Sequence, residues 1–218
     1  MTAEEYFKDW IKVFDKQELA KIMKWLPKEG ICPERKDVFK AFRILPYNEC
    51  RQIWIGMDPY PQKGVATGLL FANKVGTVNL SPSLEVIKDA IIDYTIPKDT
   101  IRFDITMESI AKQGVLLLNS ALTCAIGDIG SHTSIWRPFI SKFIQNMTSV
   151  NSGLVFILFG NQAKSFKNDI KGFQHILVER HPAYYARQGT SMSSNVFIEA
   201  NRLSEELNNI TLKYYEMD

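Results

Sequence analysis

The chain has only three cysteines in 218 residues, Cys32, Cys50 and Cys124, and no C-x-x-C pair. That is too few ligands, too widely spaced, for a structural zinc site or a cysteine-held iron–sulfur cluster. They read as buried free thiols. No apolar run approaches the ~18 residues of a membrane span, and the amino terminus carries Glu4 and Glu5 where a targeting segment would have a basic flank. A soluble, intracellular location follows, cytoplasmic, or in the nucleus or host cell for a eukaryotic or viral chain. An excess of either charge is also missing: 26 Lys and Arg against 24 Asp and Glu leave +2, which neither demands nor excludes nucleic acid. The phosphate fingerprints G-x-G-x-x-G and G-x-x-x-x-G-K-S/T are absent, which argues against a nucleotide-binding enzyme of that kind.

What is present is the makeup of an ordinary globular protein, 45% apolar and 23% charged. No repeat or low-complexity linker divides it, so one domain is expected over residues 1–218, with packing helices over about 1–45 and an α/β core over about 46–210. Tyr6, Phe7, Trp10, Ile11 and Phe14, and then Leu19, Ile22, Met23 and Leu26, recur at helical spacing. Four short apolar runs follow, at 52–56, 115–118, 154–159 and 174–178. Helical patterns lie between them at 84–94, 105–112, 136–147 and 162–170. Strand, helix, strand is the signature of a mostly parallel sheet covered on both faces.

In open parallel sheets ligands bind beyond the carboxyl ends of the strands. The residues leaving the four runs are Asp58, Asn119, Gly160-Asn161 and His181, a carboxylate, an amide and an imidazole at separate strand ends in a chain with three histidines. These exits are expected to converge on one cleft. The first is the most informative: Gly56-Met57-Asp58-Pro59-Tyr60-Pro61 follows a buried run, and its two prolines restrict both their own φ and the residues before them. Alone, each residue has a plainer reading: Asp58 and Asn119 as turn residues, His181 as a satisfied core histidine, Phe71 as core.

Taken in order, Gly56-Met57-Asp58-Pro59-Tyr60, Gly68-Leu69-Leu70-Phe71, Ser81-Pro82-Ser83-Leu84, Leu116-Leu117-Leu118-Asn119-Ser120-Ala121-Leu122-Thr123, Ser131-His132, Phe156-Ile157-Leu158-Phe159-Gly160 and His181-Pro182 resemble the motifs of family 1 uracil-DNA glycosylases. The resemblance spans roughly residues 38 to 201. It implies a single-domain three-layer α/β/α fold with a central four-stranded parallel sheet, and excision of uracil from single- or double-stranded DNA without metal or cofactor. It implies that Asp58 stabilises the oxocarbenium-like sugar and orients water, and that a neutral His181 donates to uracil O2. Asn119 would read O4 and N3–H, Phe71 would stack on the base, and Tyr60 would exclude the thymine methyl. Met57 would act through its backbone N–H, which any non-proline residue retains. Ser81, Pro82 and Ser83 resemble a DNA-contacting loop, and Gly160-Asn161 would open a helix at a phosphate. A monomer is implied, with DNA-mimicking inhibitor proteins as possible partners.

The chain departs from the family where His-Pro-Ser-Pro-Leu-Ser is usual, reading His181-Pro182-Ala183-Tyr184-Tyr185-Ala186. Two hydroxyls and a wedge leucine are absent; Pro182 is kept, Tyr185 stands at the wedge position, and Arg187 could replace a lost phosphate contact by charge. Pro61 replaces a common histidine. A different class, a glycosylase-derived DNA-binding or scaffold protein with weakened catalysis, is the alternative that these departures leave open.

Overall fold

A computed structural model of the chain describes residues 2–94 and 101–217. In chain order its elements are α1 (Ala3–Phe7), α2 (Lys16–Trp25), β1 (Ile31–Cys32), α3 (Lys40–Ile44), β2 (Gln52–Gly56), α4 (Pro82–Tyr94), β3 (Ile101–Arg102), α5 (Glu108–Lys112), β4 (Val115–Asn119), β5 (Cys124–Ala125), α6 (Thr133–Val150), β6 (Val155–Phe159), α7 (Gly160–Lys164), β7 (His175–Glu179), α8 (Pro182–Gln188), α9 (Asn195–Asn208) and β8 (Glu216–Met217). Short 3-10 turns fill several connections.

The four expected strands form one parallel sheet in the order β4-β2-β6-β7, with Gln52 opposite both Val115 and Val155, and Phe159 opposite Glu179. The inner strands read Gln-Ile-Trp-Ile-Gly and Val-Phe-Ile-Leu-Phe and are buried along their whole length, as a sheet covered on both faces requires. On one face Trp54 packs against Phe197 of α9 at 5.2 Å and against Tyr214 at 5.3 Å. The amino-terminal helices pack on α6 through edge-to-face rings, Phe14 on Phe139 and Phe42 on Phe143 among them. The result is three layers, α/β/α.

Gln52 is the one polar side chain inside the first sheet strand, and it is fully paired. Its amide nitrogen donates to the Ala200 carbonyl (3.1 Å) and to Ser204 Oγ (2.8 Å), and its oxygen accepts from Trp54 Nε1 and Tyr214 Oη, both at 2.9 Å. It ties the sheet to α9 without leaving a buried atom unmatched.

The expected amino-terminal helices are present but interrupted: α2 stops at Trp25 before Pro27, and β1 pairs antiparallel with β5, Cys32 opposite Cys124. The helical pattern at 162–170 also splits. Helix begins earlier, at Gly160, ends at Lys164, and resumes only as a 3-10 turn at Lys167–Asp169. Among the described residues no helix is long and apolar enough to cross a membrane, and all three cysteines are free and buried.

Candidate active site

The site begins at a glycine. A side chain on Gly56, the last residue of β2, would lie 2.3 Å from Leu70 Cδ1 and 3.4 Å from Asn119 Oδ1, so Leu70 would have to move to admit one. The next residue is bound to the same neighbour: the Met57 carbonyl accepts from Ser120 Oγ (2.8 Å) and from the Ala121 N–H (2.9 Å). Asp58 then points at the turn of residues 126–130, where its Oδ2 accepts the Gly130 N–H at 2.6 Å, and the Gly127 N–H donates to the Pro61 carbonyl at 3.0 Å. Burial raises the Asp58 carboxyl above the usual carboxylate range, and the Gly130 N–H works the other way, favouring the anion.

His181 arrives from the far edge of the sheet, two residues past β7. Gly160, with φ of +83°, would place a Cβ 2.9 Å from His181 Cβ, so the end of β6 has to be glycine on both steric and backbone grounds. The imidazole caps α8, its Nδ1 accepting the Ala183 N–H at 3.2 Å. Burial, with a smaller contribution from the Arg187 charge, lowers its pKa to about 4. The ring is therefore neutral near pH 7, and with Nδ1 acting as acceptor the proton resides on Nε2.

Phe71 lies edge-on to both His181 (centroids 5.6 Å) and Phe159 (5.2 Å). It is 5% exposed and has φ of +61°, a conformation that costs a bulky L-residue roughly 1–2 kcal/mol. Such strain is typically retained at ligand-binding positions. Its carbonyl accepts the Tyr60 hydroxyl at 3.0 Å, which fixes the tyrosine ring across the pocket mouth.

These side chains line one cavity of about 350 Å³ beyond the carboxyl ends of the strands, with Asp58, Tyr60, Phe71, Asn119 and His181 all on its wall and Met57, Gly160 and Asn161 beside them. Asn119 is 6% exposed, yet its Oδ1 has no hydrogen-bond partner. An orphaned buried acceptor costs about 1–3 kcal/mol, and this one is available to a hydrogen-bond donor. Among the described residues one other side-chain oxygen shares this state, that of Asn201, which lies outside the cavity and whose amide nitrogen donates to the Leu212 carbonyl.

A second hollow, of about 630 Å³, adjoins the first and shares Tyr60, Pro61, Ser83, Ile129, Ala183 and Arg187 with it. Ser81 and Pro82 line only this groove. Ser81 is held by Asn73, donating its N–H to Oδ1 (2.8 Å) and accepting from Nδ2 at its Oγ (2.7 Å). Pro82 occupies the first turn of α4. The segment after His181 differs from the expected open loop. Pro182 is the first residue of a helix capped by His181, and it is buried outside both hollows. Tyr185, the residue at the wedge position, is turned inward: its hydroxyl donates to Glu179 Oε1 at 2.7 Å and its ring packs on the core. The helix sets that direction, and sequence alignment with a loop could not.

Sequence reasoning missed the turn of residues 126–130. Its signal was Gly127-Asp128-Ile129-Gly130, a turn immediately before Ser131-His132. Ser131 itself serves that turn, accepting from the Ala125 N–H and donating to the Asp128 carbonyl. His132 lies outside the cavity, paired with Thr123 Oγ1 at 3.0 Å and set edge-on to Trp25.

The fold and pocket define a three-layer α/β/α protein with a cavity at the carboxyl ends of its strands, walled by a carboxylate, an amide, an imidazole and aromatic rings. Residues 42–204 match the Uracil DNA glycosylase superfamily. A Coxiella burnetii protein named Uracil-DNA glycosylase is 34% identical over 196 residues, covering 88% of this chain and 84% of the relative. Among solved structures, mimivirus uracil-DNA glycosylase superposes with a TM-score of 0.74 at 19% identity, over 98% of this chain and 93% of the other. A mimivirus variant in complex with UGI superposes with a TM-score of 0.68 at 23% identity, covering 84% and 70%. The chain belongs to the uracil-DNA glycosylase superfamily.

Proposed function

We propose that this protein hydrolyses the N-glycosidic bond of deoxyuridine in single- or double-stranded DNA, releasing uracil and leaving an abasic site, as the opening step of base excision repair. The observation that carries the reading is the unpartnered Asn119 Oδ1 at the back of a cavity that also holds Asp58 and His181. Uracil N3–H fills that acceptor while the Asn119 amide N–H donates to O4. Cytosine, with no proton on N3 and an amino group at position 4, fits neither half, and sites built to require such a bond discriminate by about 10⁴–10⁵.

Breaking the C1′–N1 bond leaves positive charge on the sugar and negative charge on the departing base, so the useful groups are a fixed anion and fixed donors. Asp58 supplies the anion beside C1′ and orients a water. His181 Nε2–H donates to O2 as the electron pair leaves with uracil, and the Met57 N–H is a further donor at the base edge. Phe71 stacks on the base, and Tyr60 occupies the space a 5-methyl group would need. The C1′–N1 electron pair stays with uracil, the water oxygen bonds to C1′, and the proton that the water gives up passes through Asp58 and solvent to the uracil anion. No step calls for a metal.

To admit the nucleotide the strand must present it extrahelically. Ser81, Pro82, Ser83 and Arg187 would contact the flanking backbone in the adjoining groove, with Gly160-Asn161 at the pocket lip. A protein that mimics DNA would compete for the same groove. The chain is proposed to act inside the cell as a monomer, residues 1–218 forming one unit.

The test is incubation of the purified chain with an end-labelled uracil-containing oligonucleotide in EDTA, followed by alkaline cleavage at abasic sites. Strand scission confined to uracil positions is expected. Equal affinity for uracil-free DNA with no base released would replace the enzyme by a scaffold.

A further inference from the structure

We infer that Ile129, on the turn that clamps Asp58, is the apolar side chain that contacts the bases flanking the extruded nucleotide in duplex DNA. The inference deepens the proposed base-excision site and rests on it. When a base leaves the stack, the duplex loses stacking on both sides, and proteins that handle such sites insert or press an apolar side chain there. The residue at the sequence position expected to do so, Tyr185, is hydrogen-bonded to Glu179 and packed on the core. Tyr184 lies against the Arg180 guanidinium at 4.7 Å and lines neither hollow. Ala183 lines both hollows but carries only a methyl group, so the segment after His181 presents no long apolar side chain to them.

Ile129 meets the requirements that Tyr185 does not. It is 64% exposed, and it lines both the base cavity and the adjoining groove, so it stands where a strand passing from one to the other must run. The larger exposures of Val75, Val78, Val150 and Phe173 do not compete, because none of these residues lines the two hollows.

Its backbone is held on both sides. The Gly130 N–H binds Asp58, the Gly127 N–H binds the Pro61 carbonyl, and the Ile126 N–H binds the Gly30 carbonyl at 3.0 Å. A branched side chain on a braced turn loses little freedom when a base settles on it. The same turn thus holds the carboxylate and presents the apolar contact, which couples base extrusion to the placement of the reactive group.

The experiment uses the full chain, with Ile129→Ala and the conservative Ile129→Leu. First, kcat/KM for uracil release is measured on a duplex and on the single strand of the same sequence. Ile129→Ala should lower the duplex to single-strand ratio about tenfold, a little over 1 kcal/mol of lost transition-state stabilisation, and Ile129→Leu should restore it. Second, 2-aminopurine is placed beside a non-hydrolysable 2′-fluoro-deoxyuridine in a duplex. The parent should raise its fluorescence on binding, and Ile129→Ala should abolish most of that rise.

An unchanged ratio with unchanged fluorescence would overturn the assignment. So would an equal fall on both substrates, which would report damage to the Asp58 clamp. A parent that raises the fluorescence but releases no uracil would overturn the proposed hydrolysis and leave the role of Ile129 standing.

Discussion

Asp58, Asn119 and His181 carry separable parts of the chemistry, and each fails in its own way. Asp58→Asn and His181→Ala should each lower the rate of uracil release by roughly 10²–10⁴, the usual worth of one positioned group, in single-turnover assays; full activity in both would remove the mechanism. Asn119→Asp should weaken uracil excision and admit cytosine, because its carboxylate accepts from the exocyclic amine; paired assays on uracil and cytosine oligonucleotides read this directly. His181 also leaves a mark on stability. Its folded pKa of about 4 lies below the ordinary 6.5, so on acidification the unfolded chain binds this proton first. The stability tied to the neutral ring is whole above about 6.5 and is lost as the pH falls toward 4. Melting temperatures across that window should fall more steeply for the parent than for His181→Gln, and superimposable slopes would contradict the buried, neutral ring.

Elements bring these residues together, Gly160 by its close approach to His181, and Gln52 ties the sheet behind them to α9. Gly160→Ala would force a side chain against His181 at a positive φ, and should cost about 1–2 kcal/mol in denaturant unfolding together with a fall in kcat. Gln52→Ala would leave Trp54 Nε1 without its partner inside the core and remove the Gln52 bonds to Tyr214, Ser204 and the Ala200 carbonyl, at about 1–3 kcal/mol, with little effect on the pocket. The strands themselves were legible, since runs such as 52–56 and 115–118 are apolar throughout and the sheet begins and ends within a residue of them. The exits Asp58, Asn119, Gly160 and His181 were legible for the same reason, because a parallel sheet delivers all its carboxyl ends to one edge. Strand β1 was not: two residues whose partners lie at Cys124 and Ala125 leave no local periodicity. Helix α8 could have been read from Pro182 following a capping residue, a common helix start. The direction of Tyr185 could not, because it depends on Glu179 across the turn.

For the molecule as a whole, packing also decides thiol chemistry. Burial pushes Cys50 and Cys124 up to about 12, and raises Cys32 as well. The native chain should resist alkylation by iodoacetamide at pH 8, then take up three equivalents in denaturant. Rapid labelling without denaturant would mean that the sheet and its flanking layers open far more readily than their burial implies.

The unmatched oxygen of Asn119 has a consequence for turnover. A protein with a hydrogen-bond valence left open in its cavity is less stable when that cavity is empty, and the group that closes this valence belongs to the product as much as to the substrate. Free uracil should therefore raise the melting temperature by mass action and slow the enzyme as a competitive inhibitor, so that departure of the cleaved base becomes a step the catalyst must wait for.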